Sequence, residues 1–510
     1  MATKNSRKTD SDVSYPGGAT RASRINADHL KRRSARPKCQ SFRTPPPVEF
    51  VFEPAPVTPF GGLTLAARLI ARLKLRRSIN GRVQVFENTR GYDEATHVLT
   101  HAYNLFLGGS CIEDIAKMQA DEGVKRIVGA DEIPDPTTAG DFLRRLDPES
   151  QEELNRAIDE AHEQVWRQRN GRRKAAWAVV DLDSHVRPVY GAKKVGADFS
   201  YKGSFAYHPL VISLAGTQEV LRLVNRSGNT TSADDAHEHL EDVLPMIQRH
   251  HHQVLVRGDS AFFSQKMIDV CEEASAYFAL VVPGYRNLKE LAESLDEDAW
   301  TPFETKAARE RKKHAKGKKR RRKRPDVRRK RARARGKRDL KLKKQALAEV
   351  SYKTARSNRE YRLIIRRRII EESSQLALID RVDYRFAITN LPKSHSAEQV
   401  IDHTYGRCDQ ENVIEQLQNG VAAMRMPTGS LLANAAYMIC ARLAFNLKSW
   451  LAQLRVVPGE VMRWEWKRFR YNFVIIAATV LKHARALRMK LHSTHAGVTR
   501  MGRAYQALLR

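Results

Sequence analysis

Two aspartates stand two positions apart at the end of an apolar run, Ala175-Ala176-Trp177-Ala178-Val179-Val180-Asp181-Leu182-Asp183-Ser184. A Val-rich run closed by a polar turn reads as a buried strand. Residues i and i+2 of a strand share a face, so Asp181 and Asp183 would lie side by side. Like charges at that spacing need a cation, a shared proton or water. A divalent metal on this strand end is the chemistry the pair invites, with the remaining acids brought by later elements. Taken alone, the pair is also accounted for by a solvated Asp followed by a turn-forming Asp-Ser.

The elements that would position such acids can be read in order. Residues 1–60 form a polar, basic arm that we expect to be disordered. Residues 61–171 read as a helical, DNA-binding domain, with helices near Asp93–Leu107, Ile112–Gln119, Ala139–Leu146 and Glu149–Arg169. Pro134-Asp135-Pro136-Thr137-Thr138 gives a stop followed by a capped start. Residues 172–283 then run strand, two-strand hairpin (Phe205–Leu214, Glu219–Val224), helix (Ser232–Arg249), strand (His252–Arg257), helix (Ser264–Ala274) and strand (Tyr277–Val282). Three antiparallel neighbours followed by parallel crossovers predict an α/β fold of RNase H-like, retroviral-integrase-like type. Residues 284–400 interrupt this core with a basic run and two strands, Tyr361–Ile370 and Asp383–Thr389. Residues 401–456 return to helices of the core, the first from about Asp409 to Gly420. Residues 457–510 read as a C-terminal helical region, with helices over 474–489.

On this order Asp183 ends the first strand and Asp259 the fourth, both at the carboxyl edge where open α/β sheets hold ligands. Glu411 lies near the start of the late helix, on one face with Glu415 and Gln418. Mg²⁺, or Mn²⁺ in its place, takes one or two carboxylates with water and substrate phosphate oxygens. Paired ions of this kind activate a nucleophile and stabilise the leaving oxygen of a phosphodiester.

The net charge of +32 is unevenly placed. Residues 309–344 hold 23 Lys and Arg against 3 acids, and residues 1–45 hold 11 against 3. Charge so clustered points to nucleic acid, with Lys319, Arg320, Arg321 and Arg322 at the centre of the longer run. That run has few apolar groups and is expected to be disordered or a marginal charged helix. The five scattered cysteines include no CxxC pair, which argues against zinc and a disulfide framework and fits a reducing cytosol. No apolar run reaches the length of a membrane span, and no export signal is read.

These residues resemble the bacterial insertion-sequence DDE transposases, in the group whose RNase H-like core carries a β-rich insertion before its last acid. The resemblance covers roughly residues 60–490. It rests on Asp181-Leu182-Asp183-Ser184, Tyr207-His208-Pro209-Leu210, Arg226-Ser227-Gly228-Asn229, Arg257-Gly258-Asp259-Ser260, Tyr405-Gly406-Arg407 and Asp409-Gln410-Glu411-Asn412. It implies metal-dependent cleavage at the ends of an insertion sequence and transfer of 3′-OH ends into target DNA. Implied with it are Asp183, Asp259 and Glu411 as metal-binding catalytic acids and Tyr405, Arg407 and the position of Gln418 as DNA contacts. A homodimer in the complex that pairs two DNA ends, and a bacterial cytoplasmic, nucleoid-associated location, are further expectations. The family's first acid directly precedes a small Ser or Thr, which favours Asp183, with Asp181 the alternative. Two departures stand out: Tyr405 is one residue closer to Arg407 than usual, and Gln418 fills the place of the family's Lys. A structure-directed nuclease on the same fold and a non-catalytic basic nucleic-acid-binding protein are the other functions these features allow.

Overall fold

The structure is a computed structural model. It describes residues 55–310 and 340–509, except 88–90, 172, 192, 307, 355–356, 358, 373–380, 484–485 and 493–496. Most of the expected basic arm and the run around Lys319–Arg322 therefore lie outside the described residues.

A nine-stranded mixed sheet organises residues 175–389. Its strands are β1 (Ala175–Ser184), β2 (Leu210–Leu214), β3 (Glu219–Val224), β4 (His251–Gly258), β5 (Tyr277–Val282), β6 (Thr301–Pro302), β7 (Leu340–Lys353), β8 (Glu360–Glu372) and β9 (Arg381–Thr389). They lie in the order β6-β7-β8-β9-β5-β4-β1-β2-β3. β1 pairs antiparallel with β2 and parallel with β4, and β4 pairs parallel with β5. The segment β3-β2-β1-β4-β5, with crossover helices before and after β4, is the RNase H-like topology expected from the chain order. Strands β6–β9 of the insertion continue the same sheet, since β9 pairs with β5.

Helices cover both faces, as a sheet with central parallel strands requires. They include α1 (Glu94–Leu107), α2 (Pro136–Arg145), α3 (Pro148–Asn170), α4 (Ala236–His250), α5 (Gln265–Glu273), α6 (Ala397–Tyr405), α7 (Cys408–Asn419), α8 (Leu431–Gln453) and α9 (Trp466–Phe473). Three of these begin in the same way. Asp93, Asp135 and Asp147 each accept a backbone N–H from the first turn of α1, α2 and α3, and Pro occupies the first helical position of α2 and α3.

Helix α8 is buried almost all round and lies between the N-terminal helices and β3. Its Asn446 accepts from Val220 N and donates to Val220 O, both at 2.8 Å, and Arg442 donates to Leu221 O. The backbone groups of Val220 and the carbonyl of Leu221 on the edge strand β3 thus end on side chains. Beside them the buried Glu219 carboxylate takes hydrogen bonds from His162, Trp166 and Trp450. Burial alone would raise its pKa, but the His162 contact holds it down to about 2. One hydrophobic core runs from Leu63 to Leu508 through α8. A smaller one, with Leu255, Ile364 and Val400, lies under α6.

Four expectations change. Residues 478–491 form a hairpin, Ala478–His483 with Ala486–Leu491, and not helices. Burial alternates along Ala478–Leu481, so period-two pattern and β-branched residues outweigh the apolar run length that suggested a helix. Val57–Thr58, expected within the disordered arm, adds a third strand to this hairpin. The end of the basic run belongs to β7, where Leu340 and Leu342 alternate with lysines and Lys341 is the register partner of Glu371 on β8. Finally, the expected hairpin strand from Phe205 breaks at Pro209, which has no N–H to give a ladder. Phe205–Tyr207 joins a small sheet with Arg187–Pro188 and Asp198–Phe199. Among the described residues no helix is long and apolar enough to cross a membrane.

Candidate active site

The two aspartates of β1 part company in their surroundings. Asp181 is buried and faces Arg257 on β4. The pair is bidentate, with Nε–Oδ1 and Nη2–Oδ2 both at 2.7 Å. Arg257 also donates to His403 O at 2.9 Å, which fastens the end of α6 to the two central strands. Both oxygens of Asp181 are therefore engaged by one guanidinium.

Asp183 remains half-buried at the carboxyl end of β1. Its Oδ1 accepts Ser184 N at 2.8 Å. Continuing the Asp181–Arg257 register by two residues places Asp183 across from Asp259. Burial pushes the Asp183 carboxyl up to about 6; Arg407 opposes this, and Asp259 and Asp181 add to it. Asp259 is half-buried and caps the short turn Ser260–Phe262, accepting Ala261 N at 2.9 Å.

Helix α7 is pinned beside this pair. Arg407, at its N-cap, donates to Leu182 O and lies 3.8 Å from Asp183 and 3.9 Å from Asp181. Gln410 bonds Ser213 and Val211 of β2, whose register partners on β1 are Asp181 and Asp183. Glu411 follows directly, exposed in the first turn. The structure thus brings Asp183, Asp259 and Asp181 together and sets Glu411 on the helix docked next to them. Among the described residues no three His, Cys, Asp or Glu side chains stand close enough to hold a metal.

The residues expected to contact DNA are placed differently. Arg407 turns inward to the aspartates. Tyr405 is half-buried under the Arg366 guanidinium of β8, 5.5 Å from its ring centre. Gln418 lies against Met424, its Nε2 3.7 Å from the sulfur. Arg226 is spent within the protein, on Asp235 and on the carbonyls of His208 and Asp234. Arg257 and Gln410 are the positioning residues that sequence reasoning missed. A signal for Arg257 was present: it precedes Asp259 by the same two positions that separate Asp181 from Asp183.

An RNase H-like sheet carrying an acid pair at the carboxyl ends of its two central parallel strands defines the class. The family described as Transposase DDE domain group 1 matches residues 41–510, and the chain belongs to that family. No curated protein matches the chain. Among solved structures it is similar to the piggyBac transposase in its synaptic complex with hairpin DNA, seen by cryo-EM. That match has 10% identity and a TM-score of 0.28 over 80% of this chain and 81% of the other.

Proposed function

We propose that the protein is a DNA transposase that cleaves the ends of an insertion sequence and joins the exposed 3′-OH ends to target DNA. Asp183, Asp259 and Glu411 are its acids. The observation that carries this reading is the Asp183–Asp259 pair, two carboxylates set across parallel strands and only partly offset by Arg407. Two hard oxygen donors that repel one another suit Mg²⁺ or Mn²⁺, which complete their shell with water and phosphate oxygens. When bound, such an ion supplies Lewis-acid activation of water or of a 3′-OH and stabilises the leaving oxygen. Asp183 and Asp259 would hold it, with Glu411 joining from α7. Arg407 and Gln410 fix the distance between α7 and β1, and Arg257 keeps Asp181 out of the ligand set. Two DNA ends handled together imply a homodimer in the working complex.

Cleavage of duplex carrying the insertion sequence's ends should require Mg²⁺ or Mn²⁺, while Ca²⁺, looser in geometry, should permit binding with little cutting. Full cleavage in chelator would defeat the proposal. A strand-transfer assay separates it from a nuclease that cuts without joining.

Gln418 gives a second expectation. Gln418→Lys should strengthen binding of the ends and steepen the log–log salt dependence by about one unit, the effect of one phosphate contact. Unchanged slope and unchanged activity would mean that other cations already serve that phosphate.

A further inference from the structure

Beyond the acids, the C-terminal end of α7 closes a cavity of about 260 Å³. Its walls come from the turn after α1, from Arg187, from Gln418–Gly420, from the loop reaching Arg425, and from Arg470 of α9. Three arginines line it and no carboxylate does.

Arg470 is partly explained by its neighbours. Its Nε donates to Phe106 O at 2.8 Å and its Nη2 to Leu105 O at 2.6 Å, the last carbonyls of α1. The Trp466 ring centre lies 4.9 Å from its guanidinium carbon. These contacts satisfy a helix end, yet they leave a largely buried cation without a carboxylate, and burial presses its pKa down to about 10. Capping explains neither of the other two. Among the described residues the side chains of Arg187 and Arg425 form no ion pair. The nearby Asp114 is already engaged, by Ser110 N at 2.8 Å and Lys117 at 2.6 Å. Three guanidinium groups around one cavity repel one another, and a bound anion would relieve that repulsion.

The backbone around the cavity is also specialised. Ala422 and Met426, neither of them glycine, both have φ of 52°. Side chains rarely take that conformation without a constraint from their surroundings. At Gly420 an added Cβ would meet Gln416 O at 2.3 Å and Trp466 Cδ1 at 2.5 Å, so no side chain fits this wall.

We infer that this cavity grips one phosphate of the DNA backbone through Arg187, Arg425 and Arg470. The assignment of the phosphate to DNA rests on the proposed function. Placement supports it: Arg187 follows Asp183 by four residues, and Gln418 lies seven residues along α7 from Glu411. Seven residues of helix span about 10 Å, or roughly three nucleotides of axial rise. The site would hold DNA beside the cut and would place a cation cluster where Gln418 provides none.

The test uses the full chain and the double variant Arg187→Gln/Arg425→Gln. Arg470 is left alone because its loss would uncap α1. Salt dependence of binding is measured on a random duplex and on duplex from the DNA flanking the gene. The double variant should bind about tenfold more weakly at fixed salt, and its log–log slope should fall by about one unit. In a second arm, thermal stability is compared in inorganic phosphate and in chloride at equal ionic strength. Loss of slope supports the assignment whatever the second arm shows. An unchanged slope with loss of phosphate stabilisation would mean that the cavity takes free phosphate, and would overturn the DNA assignment. No change in either arm would overturn the site altogether. Arg425→Gln alone, at an exposed position, provides a fallback if the double variant fails to fold, with a slope change in the same direction. A reduced slope in a protein without metal-dependent cleavage would leave the cavity standing and remove the transposase reading.

Discussion

Asp183→Asn should abolish cleavage, leave DNA binding intact, and make the metal-free protein more stable at pH 7. An amide has the shape of the carboxylate but not its charge, so it loses the electrostatic hold on a divalent ion. Removing a mere outer partner of a metal ligand costs about 10–100-fold in affinity or activity, so loss of a ligand itself should cost at least a hundredfold. The gain in stability follows from burial and from Asp259 and Asp181, which together raise the Asp183 carboxyl to about 6. Relative to an ordinary carboxylate this is about 3 kcal/mol held against the folded state above that pH. A cleavage assay, a binding titration and a melting curve in chelator read the three effects. Asp181→Asn should behave in the opposite sense. It breaks a buried bidentate pair and leaves Arg257 uncompensated, a loss of about 3–5 kcal/mol, so the fold suffers first. If Asp181→Asn folded normally and alone lost cleavage, the acids would be assigned the wrong way round.

Replacing residues 311–339 by a short Gly/Ser linker should lower non-specific DNA affinity and reduce the log–log salt slope by several units, while preference for the insertion sequence's ends persists. Duplex DNA presents a phosphate about every 1.7 Å of axis, and each one neutralised steepens the salt dependence by about 0.9 unit. Such contacts position DNA without reading it. The structure defines where the cut should fall. Arg309 is paired with Glu398 and Asp402 on α6 at 2.7 and 2.6 Å, and Leu340 already pairs with Glu372. A deletion over 309–344 would remove that anchor and part of β7, and would confuse charge with fold. Equal slopes for wild type and the shorter deletion, on random and end-containing duplexes, would show that the run does not contact DNA.

Much of the fold was legible in particular residues. Val-rich β1 and apolar β5 have no helical alternative, and Asp135-Pro136 announces α2 by the chemistry of the first turn. The order of the acids was legible because strand ends and a helix start are local features. What escaped was decided between signals, or at a distance. In β7 the charge of the lysines hid the alternation of Leu340 and Leu342. In the C-terminal hairpin an apolar run was long enough to resemble a buried helix. The inward turn of Arg407 depends on how α7 sits against Leu182, over 200 positions earlier, and no local pattern reports it. The separation of Asp181 from Asp183 is of the same kind. Adjacent on one strand face, they differ because Arg257 stands across from one of them and Asp259 across from the other.

The sealing of β3 by Asn446 and Arg442 bears on how copies of this chain assemble. A sheet recruits a neighbour through the unspent amides and carbonyls of its outermost strand. On one side those of Val220 and the carbonyl of Leu221 are taken by α8. On the other, the two-residue Thr301–Pro302, whose Pro302 has no amide to offer, covers only Ala346 and Leu347 of the fourteen-residue β7. The β3 flank is therefore blunted against the strand of another molecule, while most of β7 along the opposite edge is left uncovered by β6. That blunting opposes strand-to-strand polymerisation of a highly charged chain at its β3 edge.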